Sequence, residues 1–590
     1  MLPLNDSPFR TVLDLSGFWN FQVDWEAKGE ENRYFLALPS PRRVAVPGAF
    51  NDQFLDGAIH NHMGMVWYER DFALPREFEG KRLFLRFGAA NYRAKVWLNG
   101  TLLGEHEGSY IPFEFEITNV VHREGTNRLG VRVDYLLSWD TIPQNGVNVG
   151  HWAGSGPKFP PMSADHFPYG GLVRPVVIYA TGRSRFRSAF VDTDLEGDTG
   201  KVHVQAEIDG EASRCLVEIE GVKETCAPEN GLCSCELEVP KVEPWSPENP
   251  KLYPLTLTLL SGKKEVDGIE LSIGIRTVRV EGERLLLNGK PVILRGTSKH
   301  EDFYVEGASP SRAVLLRDME NLRYIGGNSM RTSHYPHSEE WMELCDREGI
   351  LVIDECPATS IWHTAPGVDP ASTVTPKTKE AHKRAIVEMM RRDYNHPSVI
   401  IWSLSNEPNG TMEISRDYFR EMIDFARTID KNRPITIVGA GDSHDDLTAP
   451  YVDVICTNVY RLAHGLLGDW EEVKRQVAKQ VDGFHERYNK PVIVTEFGVC
   501  TFAGFHSAGS ENWTEEYQVR HLVEYLNIFE ERPFIVGIHI WVLADFKSQQ
   551  HFGRTIFNRK GLFTRDREPK LAAHVIAKRW RNGGLLAEEG

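Results

Sequence analysis

No apolar run in this chain approaches the ~20 residues that a membrane-spanning helix needs, so no membrane partner is expected. The opening M-L-P-L-N-D-S-P-F-R holds no apolar core of signal-peptide length, and a cytoplasmic location is the expectation. Cysteine is sparse, with eight in 590 residues. Cys345, Cys356 and Cys456 fall inside apolar helix or strand patterns and read as small core residues. Cys226, Cys233 and Cys235 cluster without a pair of C-x-x-C hooks, so neither a metal nor an organic cofactor is expected. Positive charge is also short: 67 Lys and Arg against 83 Asp and Glu give a formal −16, which argues against nucleic acid as a partner. An anionic substrate would need cations supplied locally by its own site.

The length allows several domains. Residues 1–181 carry short period-two segments, among them Phe113, Phe115 and Ile117 alternating with Glu114 and Glu116. Asn99-Gly100 supplies a hairpin turn, and the pattern predicts a jelly-roll-like β-sandwich. Residues 182–277 repeat the pattern, with Val202, Val204, Ala206 and Ile208 on one face and Leu255, Leu257 and Leu259 in another strand. That module fits an immunoglobulin-like sandwich. From residue 278 to 590 strands alternate with helices, which implies parallel strands and crossover helices. Candidate strands at 292–295, 328–332, 350–354, 399–404, 435–438, 454–457, 492–495 and 536–541 are the count for a (β/α)8 barrel, with its active site at their carboxyl ends.

Two of those strands end in glutamate. Residues 399–409 read V-I-I-W-S-L-S-N-E-P-N; the apolar run suits a strand buried on both faces, and Pro408 stops it at Glu407. Taken alone, Asn-Glu-Pro is as readily a solvated turn. Residues 491–498, P-V-I-V-T-E-F-G, repeat the design and deliver Glu496. A pair of strand-end carboxyls is what glycoside hydrolysis needs: one protonates the leaving oxygen, the other attacks the sugar or activates water.

Residues 328–336, N-S-M-R-T-S-H-Y-P, followed by Asp346 and G-I-L-V-I at 349–353, resemble the long signature of glycoside hydrolase family 2. Residues 403–408 and 495–498 resemble its acid/base and nucleophile motifs, and 245–250 with 274–277 its sandwich-to-barrel junction. Within the family the likeness runs to the β-glucuronidases, through D-H-F-P-Y-G-G at 165–171, 495–499 continuing to Trp513, and Asn558-Arg559-Lys560. The run 461–464 and the lead-in 555–557 depart from that pattern, and bear on sugar epimer and aglycone preference.

The resemblance implies a retaining hydrolase of β-glucuronides that works as a homo-oligomer, a dimer or tetramer. It makes Glu407 the general acid and base and Glu496 the nucleophile, with the charge on Glu496 raising the first pKa of Glu407. Asn406 is expected on the sugar 2-hydroxyl, Asn458 against the substrate, and Arg331 and Tyr460 on Glu496. His334 and Asp165 become candidate hydroxyl ligands, although a lone histidine or aspartate is more often structural. Trp541 offers a face to the sugar ring or packs in the core. Asn558 and Lys560, with Arg554, form the cationic cluster for a uronate carboxylate. Residues 359–379 form a long loop that covers the aglycone side, with Trp362 as a contact, or is simply mobile. β-Galacturonide or β-galactoside hydrolysis and an idle carbohydrate-binding homologue are the alternatives.

Overall fold

The computed structural model describes the chain apart from residues 1, 3–5, 145–164, 363–367, 462–468, 549–553 and 585–590. Part of the expected aglycone loop and most of the run 461–464 therefore lie outside the described residues.

The first domain is an antiparallel sandwich. A six-stranded sheet in the order Arg42–Val46, Gly17–Val23, Met65–Phe72, Asn127–Asp134, Arg93–Leu98, Thr101–Glu107 faces a four-stranded one built on Arg82–Phe87 and Val176–Thr181. Trp19, Phe21, Val66, Tyr68, Leu85, Val131 and Ile178 fill the space between them. Asn99 and Gly100 both adopt left-handed φ, 53° and 81°, as the expected two-residue hairpin requires. The second domain is a smaller antiparallel sandwich of three and four strands. Its alternation is plain in Tyr253–Ser261, where Leu255, Leu257 and Leu259 are buried and the intervening residues are not.

Eight parallel strands close the third domain into a barrel: β1 (Leu294–Lys299), β2 (Ser329–Thr332), β3 (Leu351–Glu355), β4 (Val399–Asn406), β5 (Ile435–Gly439), β6 (Ile455–Asn458), β7 (Val492–Glu496) and β8 (Ile535–Ile540). The first strand starts later than the sequence suggests, because Lys290–Pro291 pairs with Arg284–Leu287 and Val292 still donates to Leu285 O. The others fall within two residues of expectation. Between them lie helices such as α1 (Glu339–Glu348), capped by Ser338 and closed by Gly349 at φ 71°.

The eight residues of β4 are all buried. Ile401 packs inward with Ile353, Val438 and Ile493, whereas Trp402 and Leu404 pack outward under the helices. The junction predicted from Trp245 and Arg276 is a wedge. Trp245 is fully buried and donates to Asp346 O at 2.8 Å, and Arg276 donates to Pro397 O and Val399 O, the latter at the start of β4.

Candidate active site

Register shifts mark the carboxyl ends of β4 and β6, between Ser403 and Asn406 and between Thr457 and Asn458. Irregularities of this kind re-aim side chains at barrel rims. Glu407 follows the first of them with a left-handed φ of 45°, a conformation unfavourable for a residue with a Cβ, held by its N–H donating to Val438 O at 2.8 Å. Glu496 ends β7 and is 4% exposed, while Glu407 is half-buried.

Arg331, at the end of β2 and wholly buried, organises the pair. Nη1 and Nη2 both donate to Glu496 Oε1 at 3.0 Å, Nη2 also donates to Asn406 Oδ1 at 2.7 Å, and Nε donates to Glu355 Oε2 at 2.8 Å. The Tyr460 hydroxyl donates to Glu496 Oε2 at 2.8 Å. Burial and then the Glu496 charge push the Tyr460 phenol well above its ordinary value, so it stays a donor. Asn458 Nδ2 donates to Glu407 Oε1 at 2.7 Å, and Asn458 Oδ1 accepts from Thr495 at 2.8 Å. One polar chain thus runs Glu407–Asn458–Asn406–Arg331–Glu496. Asn406 Oδ1 accepts both from the arginine and from Asn458 Nδ2, the latter at 3.4 Å.

Burial raises the Glu496 carboxyl, Arg331 opposes the rise, and the Glu407 charge adds to it. Donors on both Glu496 oxygens fit an ionised acceptor. The structure places a raised carboxyl at Glu496, because β7 delivers it into the barrel interior.

His334 stacks on Trp541, with centroids 5.1 Å apart and planes at 15°, and its Nδ1 lies 2.8 Å from Glu355 Oε1. Trp541 is 2% exposed and also meets His300 edge-on, so it forms the floor of the site. Trp362 does not reach the site as a loop contact. It is 1% exposed and packs against Tyr418 and Phe419 in the helix layer.

A second cluster lies beside the first. After β8 the chain forms a short antiparallel ladder, Phe546–Lys547 with Phe557–Asn558, which carries Asn558 and Lys560 back to the barrel mouth. The first domain reaches over to meet it: Phe167 N–H donates to Lys547 O, and Asp165 accepts from Ser548 at 3.0 Å, from Arg554 Nε at 2.9 Å and from Asn558 Nδ2 at 2.6 Å. Burial opposes ionisation of Asp165, but Arg554 and Lys560 outweigh it and lower its pKa. Arg554 and Asp165 thus occupy one another and brace Asn558. Arg559 turns away, over the rings of Phe502 and Phe557. The buried Lys560 ammonium sits 4.1 Å from the Tyr460 ring centroid. Burial, then Arg554, lowers its pKa.

Sequence reading missed Glu355. It ends β3, is fully buried, binds Arg331, His334 and Ser403, and is held to about 2 because Arg331 and His334 overcome the effect of burial. The pair Asp354-Glu355 at a third strand end was the available signal. Cys500, whose Sγ accepts from Arg554 at 3.4 Å, gave none.

A closed parallel barrel carrying two carboxyls at the ends of its fourth and seventh strands, behind two β-sandwiches, defines a glycoside hydrolase. Comparison with known families agrees: residues 12–182 match the sugar binding domain of glycosyl hydrolases family 2, residues 184–276 match glycosyl hydrolases family 2, and residues 278–583 match its TIM barrel domain. The chain belongs to glycoside hydrolase family 2. It is 36% identical over 598 residues to a β-glucuronidase of Paenibacillus borealis, covering 100% of each. Among solved structures it is similar to an uncultured Clostridium sp. β-glucuronidase, at 36% identity and TM-score 0.91, covering 99% of this chain and 100% of that one. A Ruminococcus gnavus β-glucuronidase in complex with D-glucaro 1,5-lactone aligns at 34% identity and TM-score 0.92, over 98% and 99%.

Proposed function

We propose that this enzyme is a retaining β-glucuronidase. Glu407 gives its proton to the glycosidic oxygen as Glu496 attacks the anomeric carbon, the aglycone leaves as an alcohol, and a glycosyl ester forms on Glu496. Glu407 then takes a proton from water, which opens the ester and returns both carboxyls to their starting states. Arg331 and Tyr460 keep Glu496 ionised and oriented, and Asn406 donates to the 2-hydroxyl. Asn558 and Lys560 clasp the C6 carboxylate, and the His334–Trp541 stack bounds the ring.

The observation that carries this reading is the Lys560 ammonium. The carboxylates that most affect it, Asp165 and Glu496, make their ion pairs with Arg554 and Arg331 instead. A buried cation left in this position beside an amide suits an incoming carboxylate. A β-galacturonide shares that carboxylate, so the clasp reads C6 oxidation and leaves the C4 epimer to other contacts. The test is a panel of aryl β-glycosides that differ in C4 epimer and C6 oxidation. Turnover of the glucuronide well above the galacturonide, glucoside and galactoside supports the proposal, and preference for a neutral sugar overturns it. The same reading places the enzyme in a reducing cytoplasm as a dimer or tetramer. The free thiols are compatible with the first, and family resemblance supports the second. No helix among the described residues is long and apolar enough to cross a membrane.

A further inference from the structure

The second sandwich holds none of the active-site groups described above, yet it gathers four cysteines. Cys215, on the strand Arg214–Ile219, lies in register opposite Cys226, on Val222–Cys226. Cys233 belongs to Leu232–Val239 of the other sheet, and the Sγ atoms of all three lie within 4.8 Å of one another. Cys235 is two residues further along, on the same buried face as Cys233, and its thiol interacts with that of Cys226. Among the described residues Cys215, Cys226 and Cys233 are the one group of His, Cys, Asp or Glu side chains gathered tightly enough to share an ion. The tandem Cys-x-Cys and the single cysteines before it do not spell a zinc motif. Sandwich geometry, rather than sequence spacing, makes the set.

Apolar packing does not explain this convergence, because neighbouring inward positions are filled by Val217, Ile219, Leu237, Val239, Leu257 and Leu259. A disulfide would use two of the sulfurs and leave the others idle. Three or four soft sulfurs around one point are instead the donor set that thiophilic d10 ions select, Zn²⁺ in tetrahedral S4 coordination or Cu⁺ with fewer thiolates. Cys215, Cys233 and Cys235 are buried and Cys226 is half-buried, which gives an ion an approach from solvent.

We propose that Cys215, Cys226, Cys233 and Cys235 form a structural metal site that ties the two sheets of the second sandwich together through a thiophilic d10 ion. Zn²⁺ takes all four sulfurs, or Cu⁺ takes the three mutually adjacent ones. Each ligating thiol passes its proton to solvent as its sulfur–metal bond forms, and no electron transfer is involved. The ion belongs to a different domain from Glu407 and Glu496, so its effect falls on stability of the sandwich.

The test uses the full-length protein, reduced, stripped with chelator and confirmed folded by circular dichroism. Titration with Co²⁺ as a probe should give thiolate-to-cobalt charge-transfer absorption and tetrahedral d–d bands saturating at one ion per chain, and Zn²⁺ should displace them. Competition against a Cu⁺-specific chelator forms the second arm. Zn²⁺ or Cu⁺ should raise Tm, because the ion binds the native state only. Cys226→Ser should lose both ions while keeping the Tm of stripped wild type. Cys235→Ser should lose Zn²⁺ and keep Cu⁺. Two results overturn the proposal: a protein with all its thiols free that binds neither ion stoichiometrically, or peptide mapping that finds a disulfide between two of the four cysteines.

Discussion

Replacing Lys560 by methionine removes the ammonium, which lies 4.1 Å from the Tyr460 ring centroid, and keeps an unbranched side chain to fill the space beside that ring. That contact matters because Tyr460 also donates to Glu496, so a shorter side chain would disturb every substrate alike. A charge-assisted hydrogen bond is worth about 1.5–3 kcal/mol, or about 10- to 150-fold in rate at 25 °C. Lys560→Met should therefore lower kcat/KM for an aryl β-glucuronide by about that factor. The slow reaction of the matched β-glucoside should change little, since its C6 hydroxyl gains at most a neutral hydrogen bond from the lysine. Stability provides a second readout. The folded-state pKa of Lys560 is depressed by burial, so at neutral pH its charge opposes folding, and its removal should leave Tm unchanged or higher. The assays are initial rates on the two glycosides and a thermal melt. Equal losses on both substrates, or a fall in Tm, would make Lys560 a structural residue and remove the basis for uronate recognition.

The same clasp sets an alkaline limit. Carboxylate binding needs the ammonium, so the glucuronide KM should rise as pH climbs through a Lys560 pKa below 10.5, with no matching rise for the glucoside. On the acid side, Glu496 must be ionised to attack; burial raises its pKa, so the acid limb of kcat/KM should lie above 4.5. Glu407→Ala should impair substrates with poor leaving groups far more than activated aryl glycosides, whereas Glu496→Ala should silence both and yield an inverted glycosyl azide with added azide. Azide rescue of Glu407→Ala to an inverted product would reverse the two roles. NMR of the first-formed product should show the β-anomer from a β-glycoside, and an α-anomer would contradict the double displacement.

What the sequence makes legible follows from how local each signal is. Glu407 and Glu496 stand out because each closes an apolar run, one before a proline and the other before Phe497-Gly498. The two left-handed residues at 99–100 announce a hairpin from their own identities. Arg331 is visible from its motif, but its link to Glu355 is not, since the two sit on different strands and meet only when β2 and β3 pair. The pairing of Asp165 with Arg554 spans 389 positions and two domains, so Arg554 reads as a substrate cation when much of its charge already serves Asp165. Trp362 reads as a loop aromatic, and only the packing of Tyr418 and Phe419 shows it to be core. Cys215 was invisible for the same reason: nothing in its strand predicts that the facing sheet brings two more thiols to it.

The most direct test of the central claim is to trap the intermediate. A 2-deoxy-2-fluoro-β-glucuronyl fluoride forms the glycosyl-enzyme quickly and releases it slowly, so intact mass should rise by one fluoroglucuronyl group as activity falls. Peptide mapping should place that group on Glu496. A label on Glu407, or full activity with no label after prolonged exposure, would contradict the assignment of Glu496 as the nucleophile.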